Sequence, residues 1–169
     1  GWNSVKLYFM IGLPTETEED LLGIADLARK VSALFYSMPK EKRGKGLRLS
    51  VSASSFVPKP FTPFQWEPQD TKETLMEKQK FLRAAMKGIR GAEFSYHAPD
   101  VSVLEAVFAR GDRRLADVME AAYRYGARFD SWDEHFKPEA WSAAFVETGV
   151  LPSDYAHRRR EPGEPLPWG

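Results

Sequence analysis

The chain has 169 residues, enough for a domain with its own core. Its 24 Lys and Arg balance 24 Asp and Glu, which excludes binding of nucleic acid through whole-surface charge and leaves only local basic patches. Cysteine is absent, which excludes disulfides, thiolate nucleophiles and any all-thiolate zinc or iron–sulfur site within these residues.

No apolar run approaches the roughly 20 residues that span a bilayer. The apolar stretch 5–14 is followed by a capped acidic helix and not by a small-residue cleavage site, so no signal peptide is expected. The lack of cysteine agrees with a cytoplasmic location. The sequence opens close to a strand without a Met, which suggests a piece of a longer protein.

Val5 to Leu13 reads as a strand. Its run Leu7-Tyr-Phe-Met-Ile11 has no polar alternation, so both faces are expected to be covered, as in a parallel sheet. Gly12-Leu13-Pro14 breaks the strand. Thr17 then caps a helix whose first turn is acidic and whose apolar positions Leu21, Ile24, Ala28, Val31 and Phe35 recur at helical spacing. That helix should reach about Ser37 and stop before Pro39, and Lys40 to Gly46 reads as a solvated loop. Leu47 to Val57 is a second strand, apolar at Leu47, Leu49 and Val51 and rich in Ser at its end. Pro58, Pro60 and Pro63 forbid regular structure. Asp70-Thr-Lys-Glu73 opens a second helix that ends at Gly88, and Ala92 to His97 is a short third strand.

From residue 98 the pattern is helical. Asp100 starts one helix that Gly111 ends, Asp112 caps another that Gly126 ends, and Pro138 to Gly149 bounds a third. The Arg- and Pro-rich tail from His157 is expected to run extended over the surface. Three regions follow: 1–97 as an α/β portion, 98–156 as a helical extension and 157–169 as the tail. Strand–helix–strand–helix–strand is the building rule of a parallel sheet, in which ligands bind at the carboxyl ends of the strands. Gly12 lets the backbone approach a ligand, Met10 offers a polarizable contact to a flat ring, and the helix start after Pro14 supplies amides.

The cluster Asp130, Asp133, Glu134 and His135 is metal-like in composition, but neighbours such as Glu134 and His135 point apart, which favours a structural role. Trp132, Phe136, Trp141 and Phe145 are expected to seal the helical region against the sheet, with a base-stacking surface as the alternative. Arg158-Arg-Arg160 and the Lys40–Lys45 loop read as solvated charge, with RNA contact as the alternative.

Tyr8-Phe-Met-Ile-Gly-Leu-Pro-Thr-Glu-Thr-Glu-Glu-Asp20 is similar to a late strand of the radical SAM enzymes, nearest to the methylthiotransferase and cobalamin-binding branch. Those enzymes carry a Tyr-Ser-Pro-Arg-Pro-Gly-Thr-Pro-like turn one strand and helix later. Phe56-Val-Pro-Lys-Pro-Phe-Thr-Pro63 resembles it, with Lys59 in the Arg position and Phe61 in the Gly position. Leu104 to Arg114 and Arg128 to Phe136 resemble the downstream extension of a cobalamin-type subfamily. The resemblance implies a partial (β/α) barrel with S-adenosylmethionine bound at a 4Fe–4S cluster, which a Cys-x-x-x-Cys-x-x-Cys loop holds near the barrel start.

No cysteine is present, so this chain alone cannot hold that cluster and is expected to be inactive by itself. It reads as the carboxyl-terminal part of such an enzyme, partnered by the earlier barrel strands of its own polypeptide, with cobalamin only in the full-length form. In that whole, reductive cleavage of S-adenosylmethionine would give a deoxyadenosyl radical that takes hydrogen from a substrate. By resemblance Met10 and Gly12 lie beside the adenosyl group, Ser54, Ser55 and Phe56 flank the adenine, and Lys59 and Thr62 stand on the substrate side. Two alternatives stay open: a non-catalytic α/β module that binds RNA or a protein partner, and a structural piece that completes another chain's sheet.

Overall fold

A computed structural model describes residues 2–132 and 134–168 and divides the chain into two compact units. The first is Gly1–Phe56 with Lys72–Pro99, and the second is Val57–Thr71 with Asp100–Gly169.

The first unit holds β1 (Ser4–Ile11), α1 (Glu18–Ser37), α2 (Lys40–Arg43), β2 (Arg48–Ser55), α3 (Lys72–Met86) and β3 (Ala92–Tyr96). The three strands form one parallel sheet in the order β1-β2-β3. Both connections are therefore crossovers between neighbouring parallel strands, each with a helix, as parallel pairing requires. The register sets Leu7 beside Val51, Met10 beside Ser54 and Ile11 beside Ser55.

Both long helices use the same face of the sheet. Leu21, Ile24, Ala25, Ala28 and Phe35 of α1 join Leu82 and Met86 of α3 in one core with Leu49, Val51 and Ala53. β2 alternates strictly, with Leu49, Val51, Ala53 and Ser55 buried and the residues between them at least partly exposed. The same alternation governs β1, where the sequence predicts cover on both faces. Tyr8 is 74 % exposed and Met10 47 % exposed, so that expectation is corrected. The reason is position: β1 is an edge strand and its helices lie on one side only.

Thr17 caps α1 as its sequence suggests, in a reciprocal box with Asp20. The box lowers the Asp20 carboxyl, chiefly through the hydrogen bond from the Thr17 backbone amide. Lys40 to Gly46 contains the short exposed helix α2 where a loop is expected.

The second unit holds most of α4 (Pro99–Ala109), then α5 (Leu115–Arg124), α6 (Pro138–Thr148) and α7 (Pro152–Ala156). Gly149 ends α6 in the left-handed conformation, a position that glycine fills without strain. Trp141 and Phe145 join the helical unit's own core, whereas Trp132 is 59 % exposed.

The tail from His157 is threaded into this unit and is not a surface strand of free charge. Arg110 is fully buried and donates to the carbonyls of Ala156 and Arg158 at 3.1 and 3.0 Å. Arg160 is 5 % exposed and donates to the Arg110 carbonyl at 3.1 Å. The tail also fastens residues 57–71. Arg160 N–H donates to the Trp66 carbonyl at 2.9 Å, Gln69 N–H to the Ala156 carbonyl at 2.8 Å, and Trp168 Nε1 to Gln65 Oε1 at 3.0 Å. These bonds draw residues 57–71 into the second unit, a division that the contiguous regions 1–97, 98–156 and 157–169 do not contain.

Candidate functional site

The strand-to-helix turn after β1 is built from strained and pre-set residues. Glu16 N–H donates to the Leu13 carbonyl at 3.1 Å, with Pro14 at the second turn position and Thr15 at the third. Proline presets the second position of a type II turn, and the third needs a positive φ. Thr15 supplies that φ, 69°, without being glycine, at a cost of about 1–2 kcal/mol. Gly12, at φ 82°, adopts its conformation freely.

Glu16 holds the turn together. Both its carboxylate oxygens accept the Gly12 amide at 2.9 Å, and it pairs with Lys78 of α3 at 2.8 Å while only 6 % exposed. The sequence reading passed over this residue; its spacing of four from Gly12, directly before the Thr17 cap, was the available signal. It also changes the expected role of the amides. The Gly12 amide is engaged by Glu16 and the Thr17 and Asp20 amides by the capping box, so they are not held open for an anion.

The residues expected to contact an adenosyl group separate by face. Met10 and Ser54 are register partners at the carboxyl ends of β1 and β2, on the face opposite the helices. Ser55 turns toward the helix side, 7 % exposed, and its Oγ is buried with no hydrogen-bond partner among the described residues. Phe56 is 4 % exposed and extends the ladder by donating its amide to the Ile11 carbonyl at 2.7 Å. An open depression of about 380 Å³ borders the turn, lined by Met10, Leu13, Thr15, Glu16 and Gly23.

The face opposite the helices is polar. Rows read across the sheet are Lys6, Ser50 and Glu93, then Tyr8, Ser52 and Ser95, then Met10 and Ser54. The interior of a closed barrel is ordinarily packed with branched apolar side chains. A file of Ser50, Ser52 and Ser54 cannot pack that way and is suited to hydrogen-bonding a polar occupant.

Lys59 and Thr62 lie in the second unit and share one loop. Lys59 pairs with Glu105, and Thr62 Oγ1 donates to the Lys59 carbonyl at 2.8 Å. Phe61 between them has φ 59° and is 80 % exposed. Its backbone occupies the left-handed region that glycine prefers. Gln65 Oε1 holds the loop by accepting both Phe61 N–H at 3.1 Å and Trp168 Nε1.

Elsewhere the candidate groups are committed to structure. No cluster of His, Asp and Glu suited to a metal occurs among the described residues, and Asp133 of the expected cluster lies outside them. The residues present therefore do not fit an iron–sulfur cluster. Arg158, Arg159 and Arg160 pair with Glu164, Glu67 and Glu164 respectively. Burial, followed by the nearby Arg160 and Arg158 charges, pushes the Arg110 guanidinium down to about 10. Among the described residues no helix is long and apolar enough to cross a membrane.

No family model matches the chain, and no solved structure matches it. An uncharacterized protein of Methanocaldococcus jannaschii is 32 % identical over 120 residues, which cover 71 % of this chain and 24 % of that protein. The chain thus aligns with about a quarter of a longer relative.

Proposed function

We propose that this chain is the carboxyl-terminal part of a radical SAM enzyme of the cobalamin-associated kind, and that its strands are consecutive staves of a partial (β/α) barrel. Three features of the sheet unit support the reading. The strands are parallel and follow chain order, the helices cover one face alone, and the other face is polar and ends at Met10 and Ser54. The single observation that carries it is the Met10–Ser54 pairing on the helix-free face, directly beside the Gly12 turn.

The outer edge of β1 supports the same reading. It has no partner strand among the described residues, yet it is eight residues long and bears exposed Tyr8 and Met10. A long, apolar, unpaired edge invites another strand, and earlier strands of the same polypeptide would supply it. A relative that extends far beyond the matched region agrees with such a polypeptide.

In this reading Met10 and Ser54 lie against the adenosyl group of S-adenosylmethionine, and the Glu16–Lys78 pair keeps the Gly12 turn in shape. Lys59 and Thr62 serve the substrate. The hydrogen-abstracting power comes from the cofactor and from a cluster held elsewhere in the polypeptide, since these residues fit no cluster. The test is calorimetric titration of the intact polypeptide with S-adenosylmethionine. Binding that weakens at least tenfold in Met10→Glu, with unchanged thermal stability, is the expected result. Absence of a Cys-x-x-x-Cys-x-x-Cys loop within roughly 100–200 preceding residues, about one domain length, would reject the reading.

A further inference from the structure

The cations of the sheet unit gather at one end. Lys40, Lys42, Arg43 and Lys45 fill α2 and the loop after it, where β2 is about to begin. Arg48 opens β2, and its amide donates to the Asn3 carbonyl at 2.8 Å, beside the start of β1. Lys87 and Arg90 come from the turn between α3 and β3.

The fold joins these stretches into one patch. The Tyr36 ring lies 3.9 Å from the Arg90 guanidinium and 5.8 Å from that of Arg43. Leu49 N–H donates to the Gly91 carbonyl at 2.8 Å, which sets the turn against the start of β2. Across residues 39–48 and 87–91 the sole carboxylate is Glu41.

None of these cations forms an ion pair among the described residues, whereas Arg114, Arg124, Arg158, Arg159 and Arg160 of the helical unit all do. Like charge gathered without counter-charge works against the compact state that carries it. Such a patch is suited to a polyanion outside the fold. An exposed aromatic stands beside it: Trp2 is 90 % exposed and precedes Asn3, whose carbonyl binds the Arg48 amide. Cations that follow a phosphate backbone, next to a ring on which a base stacks, are what single-strand binding requires. An acidic protein segment would use the cations and leave the ring without a role.

We propose that this end of the sheet unit docks single-stranded RNA, with phosphates on Lys42, Lys45, Arg48 and Lys87 and a base stacked on Trp2. The patch lies at the amino ends of the strands and Gly12 at the carboxyl end of β1, so the docking surface stands apart from the proposed cofactor contacts.

The test is fluorescence anisotropy of the intact protein with a fluorescein-labelled oligouridylate of about 20 nucleotides. Neutralising three or four phosphates predicts an affinity that falls roughly 20- to 50-fold between 50 and 200 mM salt. Lys42→Ala, Lys45→Ala and Lys87→Ala together remove most of that salt dependence; all three side chains are exposed, so the fold persists. Trp2→Ala weakens binding about fivefold or more and leaves the salt slope unchanged. No binding at 50 mM salt, an unaltered slope in the triple variant, or tighter binding to phosphatidylserine vesicles than to the oligonucleotide would each overturn the proposal.

Discussion

In the sheet unit the interior is branched and aromatic, with Ile24, Phe35, Leu49, Val51 and Leu82 closing on one another. In the helical unit seven of the twelve buried core residues found among the described residues are alanine. Small side chains let helices approach closely but remove little apolar area from water, at roughly 25 cal/mol per Å². The helical unit adds buried hydrogen bonds instead: Arg110 and Arg160 reach carbonyls that no helix bond satisfies. One unit thus depends on volume and the other on directed polar contacts, and the two should respond differently to the same kind of substitution.

The sharpest contrast keeps volume and changes chemistry. Arg110→Met should cost about 3 kcal/mol, since it takes the guanidinium donor from the Arg158 carbonyl and leaves the Ala156 carbonyl with the Gln69 amide alone. Leu49→Met, at a site 1 % exposed, should cost less than about 1.5 kcal/mol because its volume is conserved. Urea denaturation followed by circular dichroism measures both, and equal losses would erase the distinction. Next in size is Glu16→Gln, which removes a largely buried partner of Lys78 and should cost about 2 kcal/mol by the same measurement.

Smaller effects come from the backbone. Phe61→Gly and Thr15→Gly should each raise stability by about 0.5–1 kcal/mol, the left-handed strain relieved exceeding the entropy that glycine adds. Phe61→Ala, which keeps a Cβ, should not. A drop in melting temperature for both glycine variants would show that these turns are not strained.

The smallest effect is electrostatic, present at neutral pH and lost in acid. Arg158 hydrogen-bonds Glu164 and holds its carboxyl down at about 2, and Arg114 does the same for Asp112. A depressed carboxyl stabilises the fold above its ordinary pKa, near 4, and that contribution fades as pH falls toward 2. Glu164→Gln should therefore lower the helical unit's stability at pH 7, flatten its dependence on pH between about 4.5 and 2, and leave little difference from the parent near pH 2. Hydrogen exchange of residues 157–168 across that range checks it.

Much of the sheet unit was legible in the sequence, for local reasons. The Thr17 box and the alternation of β2 are each written in a few adjacent residues, and so, in the helical unit, is the glycine after α6. The bare face of β1 was not, because Leu7 to Ile11 looks the same whether one side or both are covered; only sheet order decides. Met10 and Ser54 were singled out separately, and the register alone makes them neighbours. Glu16 and Arg110 were illegible for a further reason. Charged residues are ordinarily solvated, and their burial depends on partners up to about sixty positions away, Lys78 and Ala156 among them.

The pinning of residues 57–71 by the tail has a temporal side. Gln65 is bonded to Trp168, a partner 103 positions later in the chain. At about 5–20 residues per second of ribosomal synthesis, the Lys59–Thr62 loop waits several seconds for the strap that fixes it. Until then Gln65, whose side chain accepts the Phe61 amide, lacks its Trp168 partner, and the loop is held by local contacts alone.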